Sequence, residues 1–223
     1  MTVAELLQQG LSALGLDLSA ATQSTLLRYV ALLKKWNSTY NLTAIRDEQE
    51  MVTQHLLDSL SMLPVLPESA LAGPRSGIPG RQSPGRRWAD VGSGAGLPGI
   101  PLAIARPDLG MTLVETVEKK SAFQRQAKIE LGLANIAVHC GRVEDMPGAQ
   151  FDAVVSRAFA ELADFIRFAG HLAGPGGRLY AMKGVVPEDE MSRLPSGWAV
   201  LECTRLSVPG LDAQRHLIVL ERV

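Results

Sequence analysis

The segment that decides the fold runs from Trp88 to Pro101 and reads WADVGSGAGLPGIP. Its first residues suit a short buried strand, and the glycines at positions 92, 94 and 96 let the backbone turn sharply and approach a ligand closely. The residues that follow, to Ala105, suit a helix whose first N–H groups face that ligand. A strand, a glycine-rich turn and a helix in this order predict a doubly wound α/β fold with a ligand at the turn.

Strands and helices alternate from this segment to the end of the chain. The predicted strands are Trp88–Val91, Met111–Glu115, Ile136–Cys140, Phe151–Ser156, Arg178–Met182, Ala199–Leu206 and His216–Glu221. The predicted helices are Leu97–Ala105, Ser121–Leu131 and Leu162–Leu172, and glycines within 174–177 end the last of them. The connection between the last two strands has room for a turn but not for a crossover helix. We therefore predict a mostly parallel, seven-stranded sheet that ends in an antiparallel pair.

Two regions precede this core. The first reads as helices, because Thr2 and Glu5 can form a capping box and Ser19 and Asp47 can cap two further helices. The second is rich in proline, glycine and arginine and cannot bury an apolar face, which is typical of a linker. We therefore predict a helical segment over 1–64, a linker over 65–87 and a core over 88–223.

Composition excludes several classes of protein. The chain has 223 residues, of which 46% are apolar and 20% charged, so it is neither disordered throughout nor a coiled coil. No run approaches the roughly 20 apolar residues that cross a bilayer, and the N-terminus lacks an export signal, so we expect a cytoplasmic protein with no membrane partner. Cys140 and Cys203 lie far apart and the histidines lack ligand spacing, so no disulfide framework or metal site is predicted. Since no apolar helical face is left over, we expect a monomer.

The net charge of −1 hides an uneven distribution of basic residues. Four arginines crowd residues 75–87, and five basic residues follow the glycine-rich segment, at Lys119, Lys120, Arg125, Lys128 and Arg142. Local basic patches govern phosphate binding more than total charge does. The pattern is compatible with a nucleic-acid partner, although charge alone is equally compatible with ordinary solvated surfaces.

An acidic residue after the second strand indicates a nucleoside-containing ligand. Glu115 lies 23 residues beyond Gly92, at the carboxyl end of that strand, where a carboxylate can accept hydrogen bonds from both hydroxyls of a ribose. The run from Gly94 to Gly99 also matches the dinucleotide pattern G-x-G-x-x-G. Asp90, just before the loop, favours S-adenosylmethionine instead, because an acid attracts a sulfonium and repels a pyrophosphate. A nicotinamide cofactor and a purely structural turn remain alternatives.

The ends of three more strands supply further candidate residues. Val143, after the third strand, could pack on an adenine ring, and Glu144 or Asp145 could accept a hydrogen bond from the amino group of that ring. Arg157, after the fourth strand, could anchor a phosphate or a base edge. Arg142 and Lys183 offer two more cations at the same edge of the sheet.

A hydrolase triad is disfavoured. His55, Asp58 and Ser59 carry the right side chains, but their spacing places all three on one stripe of one helix. The chain has no G-x-S-x-G nucleophile elbow.

Five motifs together resemble a known family, the bacterial 16S ribosomal RNA guanine-N7 methyltransferases, first named glucose-inhibited division protein B. The motifs are LKKWNxxYNLT at 33–43, HLLDS at 55–59, DVGSGxGLPGIP at 90–101, SRAF at 156–159 and MKG at 182–184. The extension GLPGIP is far more specific than a generic glycine loop. The segment before Trp88 is longer than is usual in the family.

The resemblance implies a class I S-adenosylmethionine-dependent methyltransferase that modifies N7 of a guanine, position 527 of 16S RNA, in naked RNA or in the 30S subunit. The residues expected to contact the methyl donor, by motif or by the arguments above, are Asp90, Gly92, Gly94, Gly96, Leu97, Glu115, Val143, Glu144 and Arg157.

The helical segment is expected to help grip the RNA, for which His55, Arg142 and Lys183 are candidates. Guanine N7 carries a lone pair and no hydrogen, so no general base is expected, and Arg157 is the candidate for substrate positioning. Two alternatives stay open: an NAD-dependent oxidoreductase, and a non-catalytic RNA-binding factor in ribosome assembly.

Overall fold

The computed structural model describes residues 1–71, 86–146, 151–157, 159 and 161–223. Most of the predicted linker, residues 72–85, lies outside the described residues, as does Ala158 of the SRAF motif.

A seven-stranded sheet forms the centre of the described chain, in the order β3-β2-β1-β4-β5-β7-β6. The strands are β1 Arg87–Val91, β2 Gly110–Glu115, β3 Ile136–Cys140, β4 Phe151–Ser156, β5 Ala173–Lys183, β6 Trp198–Arg205 and β7 His216–Arg222. The first five strands pair in parallel, and β7 pairs antiparallel with both β5 and β6. The predicted doubly wound sheet with an antiparallel end is therefore confirmed, and its order reverses between β1 and β4, where such folds bind ligands.

Helices cover the sheet and precede it. They are α1 Val3–Ala13, α2 Ala20–Tyr40, α3 Glu48–Met51, α4 Asp58–Leu60, α5 Glu68–Leu71, α6 Gly99–Ala105, α7 Glu118–Leu131, α8 Leu162–Ala169 and α9 Glu188–Met191. A π-helical stretch, Val52–Leu57, joins α3 to α4. The predicted capping box is present, since Glu5 N donates to Thr2 Oγ1 and Thr2 N to Glu5 Oε2. Ser19 and Asp47 cap α2 and α3 as predicted.

Several predicted boundaries differ from the structure; helix α7, for example, begins at Glu118 rather than Ser121, and α8 ends at Ala169 rather than Leu172. Two further differences have a clear physical reason. Helix α6 begins at Gly99 rather than Leu97, because the glycine turn continues to Pro98 and the Asp90 carboxylate accepts the N–H of Gly99. The glycines at 174–177 do not end a helix but lie inside β5, which begins at Ala173. A side chain at position 177 would meet the carbonyl oxygen of Phe151 at 2.6 Å, so glycine allows this close pairing.

The N-terminal helices share an apolar core with the sheet. Leu26 and Leu33 of α2 belong to the same buried cluster as Trp88 of β1 and Leu113 of β2. Helix α2 packs against α6 and α7, which cover that face of the sheet. The helical segment is therefore placed directly beside the loop that joins β1 to α6.

Candidate functional site

The loop from Gly92 to Pro98, here called the glycine loop, leaves β1 at the switch point of the sheet. Gly92, Gly94 and Gly96 all have positive φ, at 70°, 57° and 85°. A side chain at position 96 would also meet Ile100 Cδ1 at 2.3 Å, whereas nothing lies within 4 Å of the corresponding point on Gly94. Position 96 thus requires glycine for two reasons: its φ is positive, and a side chain there would clash with Ile100. At position 94, by contrast, there is open space beside the loop.

Buried side chains hold this loop from three directions. Glu115 Oε2 accepts the N–H of Gly94 at 2.8 Å, and Oε1 accepts the N–H of Val117 at 2.9 Å. Gln124 Nε2 donates to Ser93 Oγ and to the carbonyl of Gly94, both at 2.8 Å. Tyr29 Oη donates to the carbonyl of Ala95 at 2.8 Å. The sequence pointed to Glu115 but not to Gln124 or Tyr29, which lie on helices with no motif at those positions.

Asp90 is fully buried beneath the loop. Its Oδ2 accepts the N–H of Gly99 at 2.8 Å, and its Oδ1 has no hydrogen-bond partner among the described residues. Burial raises the pKa of Asp90 to about 7. The carboxylate therefore caps α6 from below, and its predicted contact with a cationic ligand stays a prediction.

An apolar cleft of about 390 Å³ opens on one side of the glycine loop. Five of the predicted residues line it, namely Gly92, Glu115, Arg142, Val143 and Glu144. Two aromatic residues also line it, Phe159 of the SRAF motif and Phe168, and their ring centroids lie 6.3 Å apart. Neither was predicted to contact a ligand. Arg142 is exposed at the rim and donates to Glu144 at 2.8 Å. The cleft thus combines flat apolar walls with two carboxylates.

Two further clefts lie next to the apolar cleft, and one of them is also lined by the glycine loop. The loop cleft, of about 220 Å³, is lined by Gly92, Gly94, Leu97, His55 and Arg157 among others. The cationic cleft, of about 310 Å³, is lined by His55, Asp58, Arg157, Lys183 and Arg215 among others. Gly92 lines both the apolar cleft and the loop cleft, and His55 and Arg157 line both the loop cleft and the cationic cleft. The three clefts therefore adjoin one another along the carboxyl ends of the parallel strands.

Asp58 organises the cationic cleft. This almost fully buried carboxylate accepts from Arg157 Nη1 at 2.9 Å through Oδ2 and from Arg215 Nε at 2.8 Å through Oδ1. Each arginine side chain keeps 27% of its surface exposed, so both can still contact a ligand. The sequence analysis did not predict Arg215 as a site residue, because it lies outside the motifs, one residue before β7.

Lys183 and His55 have partners within the protein. Lys183 Nζ donates to Glu190 at 2.9 and 3.2 Å, so its charge in the cleft is partly balanced. His55 Nε2 shares a 2.9 Å hydrogen bond with Thr43 Oγ1. Burial, and secondarily the charge of Arg157, lowers the pKa of His55 to about 4, so the ring is neutral near pH 7. The roles predicted for both residues in RNA binding stay predictions.

Two other kinds of site are absent from the described residues. Within the described ranges, no cluster of three or more His, Cys, Asp or Glu side chains is arranged to hold a metal ion. No helix in the part of the chain that the structure describes has the length and apolar character needed to span a membrane.

Comparison with known proteins identifies what this arrangement is similar to. The family model described as rRNA small subunit methyltransferase G matches residues 22–218. The protein named ribosomal RNA small subunit methyltransferase G in Aromatoleum aromaticum is 57% identical over 221 residues, which cover 97% of each chain.

Two solved structures share the fold. TrmN from Thermus thermophilus has a TM-score of 0.52 and 24% identity, and the match covers 63% of this chain and 45% of that one. The O-methyltransferase NcsB1 from neocarzinostatin biosynthesis, solved with S-adenosylmethionine, has a TM-score of 0.50 and 18% identity, over 61% and 49% of the two chains.

Proposed function

The chain belongs to the rRNA small subunit methyltransferase G family, and from this premise we propose that it transfers a methyl group from S-adenosylmethionine to N7 of a guanine of 16S ribosomal RNA, position 527. The observation that carries the proposal is that the glycine loop lines both the apolar cleft and the loop cleft, and that the loop cleft shares His55 and Arg157 with the cationic cleft. A methyltransferase needs such an arrangement, because it must bind a nucleoside-containing donor and an anionic acceptor side by side.

The apolar cleft fits the adenosine part of S-adenosylmethionine. Val143 and Phe159 offer flat apolar contact for an adenine ring, and Glu144 offers an acceptor for its amino group. Each carboxylate oxygen of Glu115 accepts one backbone N–H and so has a second lone pair left to accept a hydrogen bond from a ribose hydroxyl. Gly94 leaves open space where a side chain would otherwise lie. When bound, S-adenosylmethionine supplies a methyl group on a positively charged sulfur that is already a strong electrophile.

On the acceptor side, the protein's task is to hold the RNA. Arg157 and Arg215 present two guanidinium groups against the single carboxylate of Asp58, so this cluster keeps a net positive charge for phosphates. Guanine N7 has no proton to lose, so alignment of the reacting atoms is the main requirement for catalysis. The methylated base becomes positively charged, and the neutral state of His55 adds no opposing charge beside it.

The donor is tested by titration calorimetry. We expect the protein to bind S-adenosylmethionine, and Glu115→Ala to bind it more weakly because the ribose and the loop both lose an acceptor. Binding of NAD without binding of S-adenosylmethionine would contradict the proposal and favour an oxidoreductase.

The acceptor is tested on ribosomes that lack the modification. We expect the wild-type protein to methylate N7 of one guanine in 16S RNA or 30S subunits from a deletion strain, and Arg157→Ala to lose most of this activity. Arg205→Ala, an exposed arginine on β6, is the matched control and should remain active. A wild-type protein that binds 16S RNA but leaves the guanine unmodified would instead be a non-catalytic assembly factor.

We also propose that the protein works as a monomer in the cytoplasm. Its exposed large apolar residues are scattered over different elements, for example Tyr40 on α2, Ile129 on α7 and Leu201 on β6. Light scattering at working concentration should give the mass of one chain.

A further inference from the structure

We propose that Tyr29, on the N-terminal helix α2, is a positioning residue that fixes the glycine loop in the shape that binds S-adenosylmethionine. The inference rests on the proposed function for the identity of the ligand. Its basis is a hydrogen bond of 2.8 Å from Tyr29 Oη to the carbonyl oxygen of Ala95, across 66 residues of sequence. This bond connects the helical segment directly to the loop that lines the apolar cleft and the loop cleft.

Tyr29 is a rigid anchor. Its side chain is completely buried, and its ring lies 6.2 Å from that of Phe123 on α7, at an angle of 51°. Burial raises the pKa of Tyr29, so the hydroxyl keeps its proton and remains a hydrogen-bond donor. The position of the donor is therefore set by the packing of α2 on α7 and not by the loop itself.

The loop needs such an anchor because of its glycines. Ala95 lies between Gly94 and Gly96, both of which have positive φ. The peptide unit between Ala95 and Gly96 can rotate at low cost, because glycine accepts either sign of φ. In the structure both ends of this unit are held: Tyr29 binds its carbonyl, and its N–H donates to the carbonyl of Ser93 at 2.7 Å. Ala95 lines the loop cleft, so rotation of this peptide would change what the cleft presents to a ligand.

A second anchor holds the preceding peptide unit. Gln124, also on α7, donates to the carbonyl of Gly94 and to Ser93 Oγ. Two successive carbonyls of the loop are thus held by two helices that pack against each other. Tyr29 and Gln124 should therefore both affect donor binding by holding the glycine loop.

The test compares two conservative variants by titration calorimetry, which measures affinity and the binding-competent fraction separately. We expect Tyr29→Phe to bind S-adenosylmethionine about fivefold more weakly, the loss typical of one buried hydrogen bond. The stoichiometry of binding and the KM for the 30S subunit should stay unchanged. The matched control is Tyr180→Phe, which removes the hydroxyl of a buried tyrosine stacked on Trp88, outside the clefts. It should leave the Kd unchanged even if the melting temperature falls.

A double-mutant cycle provides the second readout. Gln124→Met should also weaken donor binding. In the double variant the Kd should rise by a smaller factor than the product of the two single-variant factors, because both side chains act on one loop. A wild-type Kd in Tyr29→Phe, or in Gln124→Met, would overturn the inference, as would equal effects of Tyr29→Phe and Tyr180→Phe. Failure of the wild-type protein to bind S-adenosylmethionine would be a different result, because it would remove the proposed function itself.

Discussion

At the scale of single residues, burial changes the ionisation of two side chains in opposite directions. It raises the pKa of Asp90 to about 7 and lowers that of His55 to about 4. Both shifts favour the neutral form, since removing a charge from water is costly. Their effects on the pH dependence of stability are opposite, because one group is an acid and the other a base.

The pH dependence due to Asp90 can be isolated by substitution. Between about pH 4 and about pH 7 the unfolded chain has released this proton while the folded chain retains it, so Asp90 lowers the free energy of unfolding as pH rises. We expect the stability of wild type relative to Asp90→Asn to fall by on the order of 1 kcal/mol per pH unit in this window. Urea denaturation of both proteins at several pH values measures the difference.

The contribution of His55 cancels in that comparison. His55 makes stability rise with pH between about 4 and its ordinary value near 6.5, and it does so equally in both proteins. A difference between wild type and Asp90→Asn that is constant from pH 4 to pH 7 would show that the Asp90 carboxyl titrates normally.

At the scale of elements, one carboxylate joins three parts of the fold. Asp58 begins α4, and its partners Arg157 and Arg215 follow β4 and precede β7. The bonds span 99 and 157 residues of sequence. Asp58 therefore fixes the cationic cleft and attaches the helical segment to the sheet at the same time.

Asp58→Asn should damage RNA binding more than donor binding. Removing one partner of a buried ion pair lowers the free energy of unfolding by about 3 kcal/mol or more, and the partial exposure of both arginines should limit the loss to about 2 kcal/mol. We expect the KM for the 30S subunit to rise several-fold, because the guanidinium groups lose their common anchor, while the Kd for S-adenosylmethionine changes less. Chemical denaturation and steady-state kinetics measure the two effects.

Asp164→Asn is the control for this substitution. It removes a carboxylate from an ion pair with Arg167 on the surface of α8, where such pairs contribute about 0–1 kcal/mol. Equal kinetic effects of the two substitutions, or an unchanged KM in Asp58→Asn, would contradict the role given to Asp58.

At the scale of the whole molecule, the net charge of −1 means that the protein as a whole does not attract RNA electrostatically. Binding should instead depend on local cations, of which Arg215 is the one that sequence analysis missed. We expect Arg215→Gln to make the slope of log K against log salt concentration shallower by about 0.7, the value for one phosphate contact on single-stranded nucleic acid. Filter binding to 16S RNA over a range of salt concentrations measures the slope.

Arg205→Gln on β6 should leave that slope unchanged, because this exposed arginine lines none of the three clefts. If Arg215→Gln also keeps the wild-type slope, Arg215 does not contact phosphate.

Much of the fold could be predicted from sequence because its signals are local. The caps at Thr2, Ser19 and Asp47 each involve residues within three positions of one another, and the strands β3 and β4 were predicted to the residue from short apolar runs. The start of β5 was wrong, because a glycine-rich run that reads as a turn pairs closely with a neighbouring strand. Local signals fail where a partner from elsewhere in the chain decides the structure.

The same distinction applies to the site. By itself the sequence determined the glycine loop, the acid at Glu115 and the positions at the strand ends, because a parallel sheet brings those ends to one edge. Only the tertiary structure decided that Tyr29 holds Ala95, that Asp58 binds two arginines, and that Asp90 lies under the loop. Those facts depend on packing between distant segments and on the loss of water around buried groups, and neither is written in the spacing of residues along the chain.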